Sequence, residues 1–409
     1  MLAAALVSSC TARQPEPVAP VPPPVDSTPA VVVPTLPDTI AAALVEAPIL
    51  PLPAEAAARH AGRTVRHAVT VCAGGDVMLG SDLDTTWAVR RGVNPLPDPD
   101  SLLAPLQPLV SDADVLLLNV EGAIGEGSVP SKCRRGSTTC YAFRQPVRVA
   151  AALRRLSPGG EVVGNVANNH AMDAGGGGFA ETQRQLGLAG VRVTGADTTA
   201  TVVITARGDT VGFLGFSTAQ AGPDPRRLEQ VRRLVARAAA TTGRVVVTTH
   251  MGAEGAAAQR TPDADEAYLG ENRGNAVAFA HAAVEAGASA VIGHGPHVMR
   301  AVEWYRGVPI LYSLGNLLTY GPFNLSEPMN RGAIACVTLP PRGTATRVVL
   351  RSTRQVPPGI VSPDPEGRAA ALADSLATLD FPATGPASSG NGVLVAPLPA
   401  PGVVPPRSR

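Results

Sequence analysis

The chain has 409 residues, 45% of them hydrophobic and only 16% charged, with 34 basic side chains against 33 acidic ones. That balance and 3% aromatics supply neither the basic field nor the stacking platforms that a nucleic-acid partner needs, and no apolar run approaches the roughly eighteen residues of a bilayer span. Forty prolines and forty-two glycines, with many of the prolines before residue 60 or after residue 355, mark flanks that can build little core.

The first residues read as a targeting segment. Leu2 to Val7 is apolar, Ser8 and Ser9 are small, and Cys10 follows, a pattern similar to the lipobox of a bacterial lipoprotein, in which the cysteine is acylated after cleavage. A basic start is missing and the apolar stretch is short, so an ordinary ragged terminus is the competing reading. On the lipoprotein reading, residues 1–10 are the signal segment, Cys10 carries a lipid anchor, and the Pro/Ala-rich stretch 11–66 tethers a folded domain to a membrane of the cell envelope. Cys133 and Cys140 flank a polar loop and fit either a small disulfide of an exported protein or two free thiols. Cys72 and Cys336 lie in apolar runs and read as core residues.

From residue 67 strands and helices alternate. The spacing predicts a strand from Val69 to Ala73 ending at Gly74-Gly75-Asp76, and another from Asp114 to Asn119. An amphipathic helix follows over Pro146 to Leu156, then a strand over Glu161 to Val166. Phe179 to Leu188 reads as helix and Val191 to Thr194 as a short strand, and Val202 to Thr205 pairs with Thr210 to Phe216 around Arg207-Gly208-Asp209. A helix over 225–240, a strand over Arg244 to Thr249, a helix over 273–286 and a strand over Ala288 to Ile292 continue the alternation. Further hairpins are expected around Arg306-Gly307 and over 333–351. The pattern predicts an α/β core with mixed sheets over 67–355, a weak helical extension over 356–380 and an unstructured tail over 381–409.

Polar clusters close the apolar runs: GGDVMLG at 74–80, NVEGA at 119–123, NVANNHAMDAG at 165–175, HMGAEG at 250–255 and GHGPHV at 293–298. Open α/β sheets gather ligands outside the carboxyl ends of their strands, so clusters far apart in sequence can share one site. Asp76, Glu121, Asn169, His250, His294 and His297 together offer carboxylate, amide and imidazole donors, a set suited to one or two divalent ions such as Mn, Zn or Fe(II). Taken singly, Asp76 also fits a turn or helix cap, Glu121 a solvated carboxylate and His250 a satisfied core histidine. Asn119, Asn168, Asp173 and Glu254 are candidates to orient the ligands, with Glu254 placed to hold the His250 ring. His281, inside an apolar helix, reads as structural; His60 and His67 have no chemical company.

With GDVMLG, NVEGAI, YAFRQP at 141–146, NNHAMDAG, HMGAEG, GHGPHV and YSLGNLL at 312–318 in this order, residues 68–355 resemble the capsule-synthesis CapA family. Its poly-γ-glutamate members belong to the wider calcineurin-like metallophosphoesterases. The resemblance implies a four-layer sandwich of two mixed sheets flanked by helices. It implies Asp76 on a first metal, Glu121 bridging two, Asn169 and His250 on the second, His294 and His297 shared, and His170 beside the leaving group as the catalytic acid. This chain departs from the phosphoesterase pattern in having Met78 in place of a histidine two after the aspartate, Glu121 in place of aspartate, and final histidines three apart instead of two. Met251 stands where the family often has tryptophan. Three functions follow: a metal-dependent hydrolase of a polymer or phosphoester substrate; an accessory factor binding nascent polymer or a membrane-bound synthase complex; or an α/β domain with a structural metal.

Overall fold

The computed structural model describes residues 67–80, 96–125, 141–321, 323–388 and 390–397. Cys10, His60, Cys133 and Cys140 lie outside the described residues. The first strands are β1 (Val69–Leu79), β2 (Val115–Val120), the short pair β3 (Ala123–Ile124) and β4 (Arg144–Gln145), then β5 (Glu161–Asn165) and β6 (Arg192–Thr194). Next come β7 (Thr201–Ile204), β8 (Thr210–Ser217), β9 (Val245–His250), the hairpin β10 (Glu266–Tyr268) and β11 (Glu271–Gly274), and β12 (Ala290–His294). The chain ends with β13 (Val302–Tyr305), β14 (Val308–Leu311), β15 (Asn316–Tyr320), β16 (Arg331–Leu339), β17 (Arg347–Val356), β18 (Ile360–Pro363), β19 (Ala387–Ser388) and β20 (Val393–Val395).

Two mixed sheets organise these strands. The larger runs β19-β20-β17-β16-β1-β2-β5-β6, with β15 joining β1 and β18 joining β17; the smaller runs β13-β14-β12-β9-β8-β7. Period-two alternation splits each central strand between two cores. Val69, Val71, Val115, Leu117 and Val163 of one sheet meet Val211, Phe213, Val246 and Ile292 of the other. The alternate residues Leu116, Leu118 and Val162 face helices α1 (Pro99–Leu103), α2 (Arg148–Leu156) and α3 (Gly175–Leu188). On the far side, Leu214, Phe216, Val247 and Val291 face α4 (Leu228–Thr242) and α5 (Ala276–Glu285). The result is the expected helix/sheet/sheet/helix sandwich. In α4 the buried positions Val231, Leu234, Val235, Ala238 and Thr242 recur at helical spacing, and Gly243 ends the helix at φ 70°, where other residues are strained.

Several expectations need correction. The first strand does not stop at Gly74-Gly75-Asp76: β1 runs on to Leu79, because β16 leaves its side at Gly74 and β15 replaces it from Asp76 onward. The exchange is possible because a Cβ on Gly75 would lie 2.1 Å from the Gly315 carbonyl oxygen, an approach only glycine allows. Asp76 thus sits mid-strand at a bulge. Helix α5 begins later than expected because 271–274 is spent in β11. The C-terminal segment is not a tail throughout: β20 pairs with β17, and α6 (Arg368–Asp380) buries Ala369, Ala370 and Ala373 in the inter-sheet core. Nor is His67 without company, since its backbone N–H and its Nδ1 both engage the buried Asp209 carboxylate.

Cys72 and Cys336 are core residues, as expected, but they are also bonded to each other. They face one another across β1 and β16 and form a disulfide that links positions 264 residues apart. Such a link restricts the unfolded chain, an effect of about 2–5 kcal/mol. Replacing both cysteines by alanine is expected to lower the denaturant midpoint by that amount of stability. Alkylation of the unreduced, unfolded protein followed by mass spectrometry should leave this pair unmodified.

Candidate functional site

The carboxyl ends of the central strands of both sheets meet at one edge of the sandwich. In the larger sheet Asp76, Asn119 and Asn165 stand in register on three adjacent parallel strands; in the smaller, His250 and His294 stand opposite one another as the last residues of β9 and β12. Glu121 follows β2, Asn168, Asn169 and His170 follow β5, and His297 turns back toward the sheets at φ 58°. These ten polar residues therefore converge from both layers although they span more than two hundred positions.

Asn119 joins the layers. Its Nδ2 donates to Asp76 Oδ1 at 2.7 Å and approaches His250 Nδ1 at 3.1 Å, while its Oδ1 accepts from Asn165 at 2.9 Å. The Asn119 amide nitrogen thus faces His250 Nδ1 and leaves Nε2 pointing toward Glu121 Oε1. The expectation that Glu254 orients His250 is thus corrected: Asn119 does so, because it lies in the row between Asp76 and the imidazole. Glu254 instead accepts from Arg273 at 2.8 Å and Asn169 Nδ2 at 3.4 Å.

Asp76, Glu121 and His297 bring one ligand atom each within 4.8 Å of one another. His297 Nδ1 lies 2.9 Å from Asp76 Oδ2 and 3.1 Å from Asn316 Oδ1, which leaves Nε2 facing Glu121 Oε1 at 3.6 Å. His294 Nδ1 is 3.6 Å from Asp76 Oδ1, and His250 Nε2 is 3.7 Å from Glu121 Oε1. Among the described residues, Glu121 Oε1, His250 Nε2 and both ring nitrogens of His294 are buried without hydrogen-bond partners. Unpaired buried polar atoms cost roughly 1–3 kcal/mol each, so their gathering in one place marks a site shaped for a further charged species.

The electrostatics agree. Burial opposes ionisation of Asp76, yet the His297 hydrogen bond and the nearby His297, His250 and His294 hold its pKa well below the usual carboxylate range. Burial pushes Glu121 well above that range, opposed by His297 and reinforced by Asp76, Glu254 and Asp173. Burial lowers His250 and His294, whereas for His297 the charges of Glu121, Asp76 and Glu254 overcome burial and raise it well above neutral imidazole. The donors are oxygen and imidazole nitrogen, a mixture that fits Mn, Zn or Fe(II).

The cluster opens into a cavity of about 1250 Å³ lined by Glu121, Asn169, His170, Glu254, His297 and Asn316 among others. His170 Nδ1 lies 2.6 Å from Asp173 Oδ2, and its ring packs 4.3 Å from that of Phe143. Asp173 also accepts from the Phe143 backbone N–H at 2.7 Å, so one carboxylate holds both the imidazole and the Phe143 main chain. Asn168 reaches back to the Val120 carbonyl at 2.8 Å and braces the NNH turn. Asn316, Asn165 and Arg273 belong to the site and escaped the sequence reading. Asn316 had one available signal, its place in YSLGNLL at the start of a strand; Arg273 enters through a hairpin that composition does not announce.

The model for the family described as "Bacterial capsule synthesis protein PGA_cap" matches residues 70–320. The "PGA biosynthesis protein CapA" of Bacillus subtilis (strain 168) is 29% identical over 170 residues, 38% of this chain and 41% of that protein. The "Capsule biosynthesis protein CapA" of Bacillus anthracis is 30% identical over 186 residues, 41% of this chain and 42% of that protein. A "Probable polyglutamine synthesis accessory protein" of Mycobacterium tuberculosis (strain CDC 1551 / Oshkosh) is 30% identical over 295 residues, 61% of this chain and 74% of that protein. The chain thus spans less than half the length of the two Bacillus relatives. Among solved structures, the calcineurin-like phosphoesterase YfkN from Bacillus subtilis aligns over 77% of this chain and 97% of its own, at 9% identity and a TM-score of 0.38. Because the family match covers more than half of the 409 residues and takes in each of the five polar clusters, the chain belongs to the bacterial capsule synthesis protein PGA_cap family.

Proposed function

We propose that this protein is exported to the cell envelope and acts in the synthesis of a capsule or poly-γ-glutamate-type polymer, using a cation-dependent site that hydrolyses a phosphoester or a related bond. The observation that carries the reading is the group of buried, unpartnered ligand atoms on Glu121, His250 and His294 beside Asp76 and His297. Asp76, Glu121, His294 and His297 would hold one or two divalent ions, with His250 and Asn169 completing the set. Such an ion, when bound, supplies a water of lowered pKa and neutralises negative charge that develops at the reacting centre. The disulfide Cys72–Cys336 supports an oxidising compartment, in keeping with a lipid anchor at Cys10.

The chain's own residues supply the rest. His170 is held by Asp173 through Nδ1, so Nε2 is the nitrogen that would hand a proton to the departing oxygen. The Phe143 ring keeps the imidazole plane fixed, and the cavity, at about 1250 Å³, has room for several units of a polymer. A second reading, a non-catalytic accessory subunit that binds polymer or a membrane-bound synthase, is favoured by one observation: Met78, where the phosphoesterase pattern has a histidine, lines the cavity and offers only a thioether. The mycobacterial relative's printed name, an accessory protein, points the same way.

Metal analysis of the purified protein, with an assay on a generic phosphodiester with and without Mn(II), separates the two: bound metal with turnover supports the hydrolase, bound metal without turnover the accessory subunit. For the hydrolase, His170→Ala should lower turnover by about 10²–10⁴-fold with metal content unchanged; an unaltered rate removes His170 from the chemistry.

Both His297 and Glu121 hold their protons more tightly than usual without a cation, and a cation must displace those protons. Binding therefore releases protons, and the apparent Mn(II) affinity is expected to rise with pH. Titration calorimetry in two buffers of different ionisation enthalpy measures the release directly, and an affinity that falls with pH would contradict it.

A further inference from the structure

Glu254 stands at the cavity wall with its two carboxylate oxygens in different surroundings. Oε1 accepts from Arg273 NH1 at 2.8 Å and from Asn169 Nδ2 at 3.4 Å, whereas Oε2 faces His297 Nε2 at 3.7 Å. That same nitrogen lies 3.6 Å from Glu121 Oε1. Neither separation is a hydrogen bond, which would close to about 2.7–3.2 Å. Two donor atoms that share a divalent ion at about 2.1 Å in tetrahedral arrangement stand about 3.4 Å apart. The gap between His297 Nε2 and Glu254 Oε2 is therefore close to the span that a shared cation imposes.

We propose that Glu254 is itself a ligand of the cation, through Oε2, together with His297 Nε2; this rests on the cation-binding reading above. The pointing of Oε2 is built in from outside the cluster. Arg273 is nearly buried, bonds Glu254, makes a second ion pair with Glu271 at 3.3 Å, and lies over the Tyr268 ring at 5.4 Å. Its strand, β11, belongs to a hairpin whose partner strand is anchored by the buried pair of Arg300 and Glu266, bonded twice at 2.8 and 2.6 Å. A carboxylate on the metal with its other oxygen hydrogen-bonded to a fixed cation of the protein is the arrangement by which outer residues orient ligands. Arg273 is then a positioning residue and Glu254 a ligand. Glu121 Oε1 supplies the independent sign of a missing partner, since it is buried without a hydrogen bond.

The test uses Co(II) and Mn(II) with the full chain. Glu254→Gln keeps the side-chain shape and an oxygen for Arg273 but removes the charge, and it is expected to weaken Mn(II) binding at least about tenfold and to shift the visible bands of the Co(II)-loaded protein. Arg273→Met should weaken binding while leaving those bands in place. Should Glu254→Gln not fold, judged by its melting temperature without metal, Glu254→Asp, which withdraws the carboxylate by one methylene, is measured against the same criterion. Co(II) bands identical to the parent's in the Glu254 variant, at whatever affinity, would overturn the assignment and leave the cation site itself standing. A parent protein that takes up neither ion would overturn both.

Discussion

The amide of Asn119 is the contact on which the site depends. It is buried, it reaches from the larger sheet to His250 of the smaller one, and it holds Asp76 on the way. Two stacked sheets can slide or tilt against an apolar interface at little cost in area, because hydrophobic contact has no direction. A hydrogen-bonded amide between them does have direction, and in a low-dielectric setting it fixes the layers where misalignment would leave several polar groups unpaired. The convergence of candidate ligands from both layers is registered there, together with the His297–Asp76 contact and the Thr194 hydroxyl on the Phe213 carbonyl.

Burial of so many ionisable groups has to be offset, and the cluster offsets it only in part. Asp76 and His297 satisfy one another, whereas Glu121 Oε1 and both ring nitrogens of His294 find no hydrogen-bond partner among the described residues. A purely structural network would be expected to close on itself. In this one Asn165, Asn168, Asn316 and Arg273 bond their neighbours on the outside, while the centre is left incomplete. That asymmetry is the physical argument for a bound ion, and it is independent of any likeness to other proteins.

Much of this was legible in the sequence because ligand-bearing clusters interrupt apolar runs, and buried runs in alternating α/β patterns end where sheets present their ligands. The α/β core with mixed sheets followed from the same alternation, and the four layers from the family resemblance. What escaped legibility depended on which strands become neighbours. Nothing local in GGDVMLG says that one partner strand leaves and another arrives beside Asp76, so its strand was ended too soon. Cys72 and Cys336 each sit in an apolar run indistinguishable from core, and only the register of two strands far apart in sequence brings their sulfurs together. Glu254 lies four residues after His250, near enough to suggest a direct contact, but the chain turns away after β9 and Arg273 captures the carboxylate. The C-terminal strand β20, three residues among prolines and glycines, is too short for composition to reveal.

The segment that matches the family ends at residue 320, yet the strand that flanks β1 on its antiparallel side is β16, which begins at Arg331. Beyond it lie β17 and β20, and α6 contributes alanines to the layer between the sheets. The borders of sequence likeness are therefore not the borders of a folding unit. A fragment cut to the matched region would expose the long edge of its central strand, lose the sulfur partner of Cys72 and open one flank of its interior to water, so anyone seeking a minimal version of this protein must carry the chain through at least Val395.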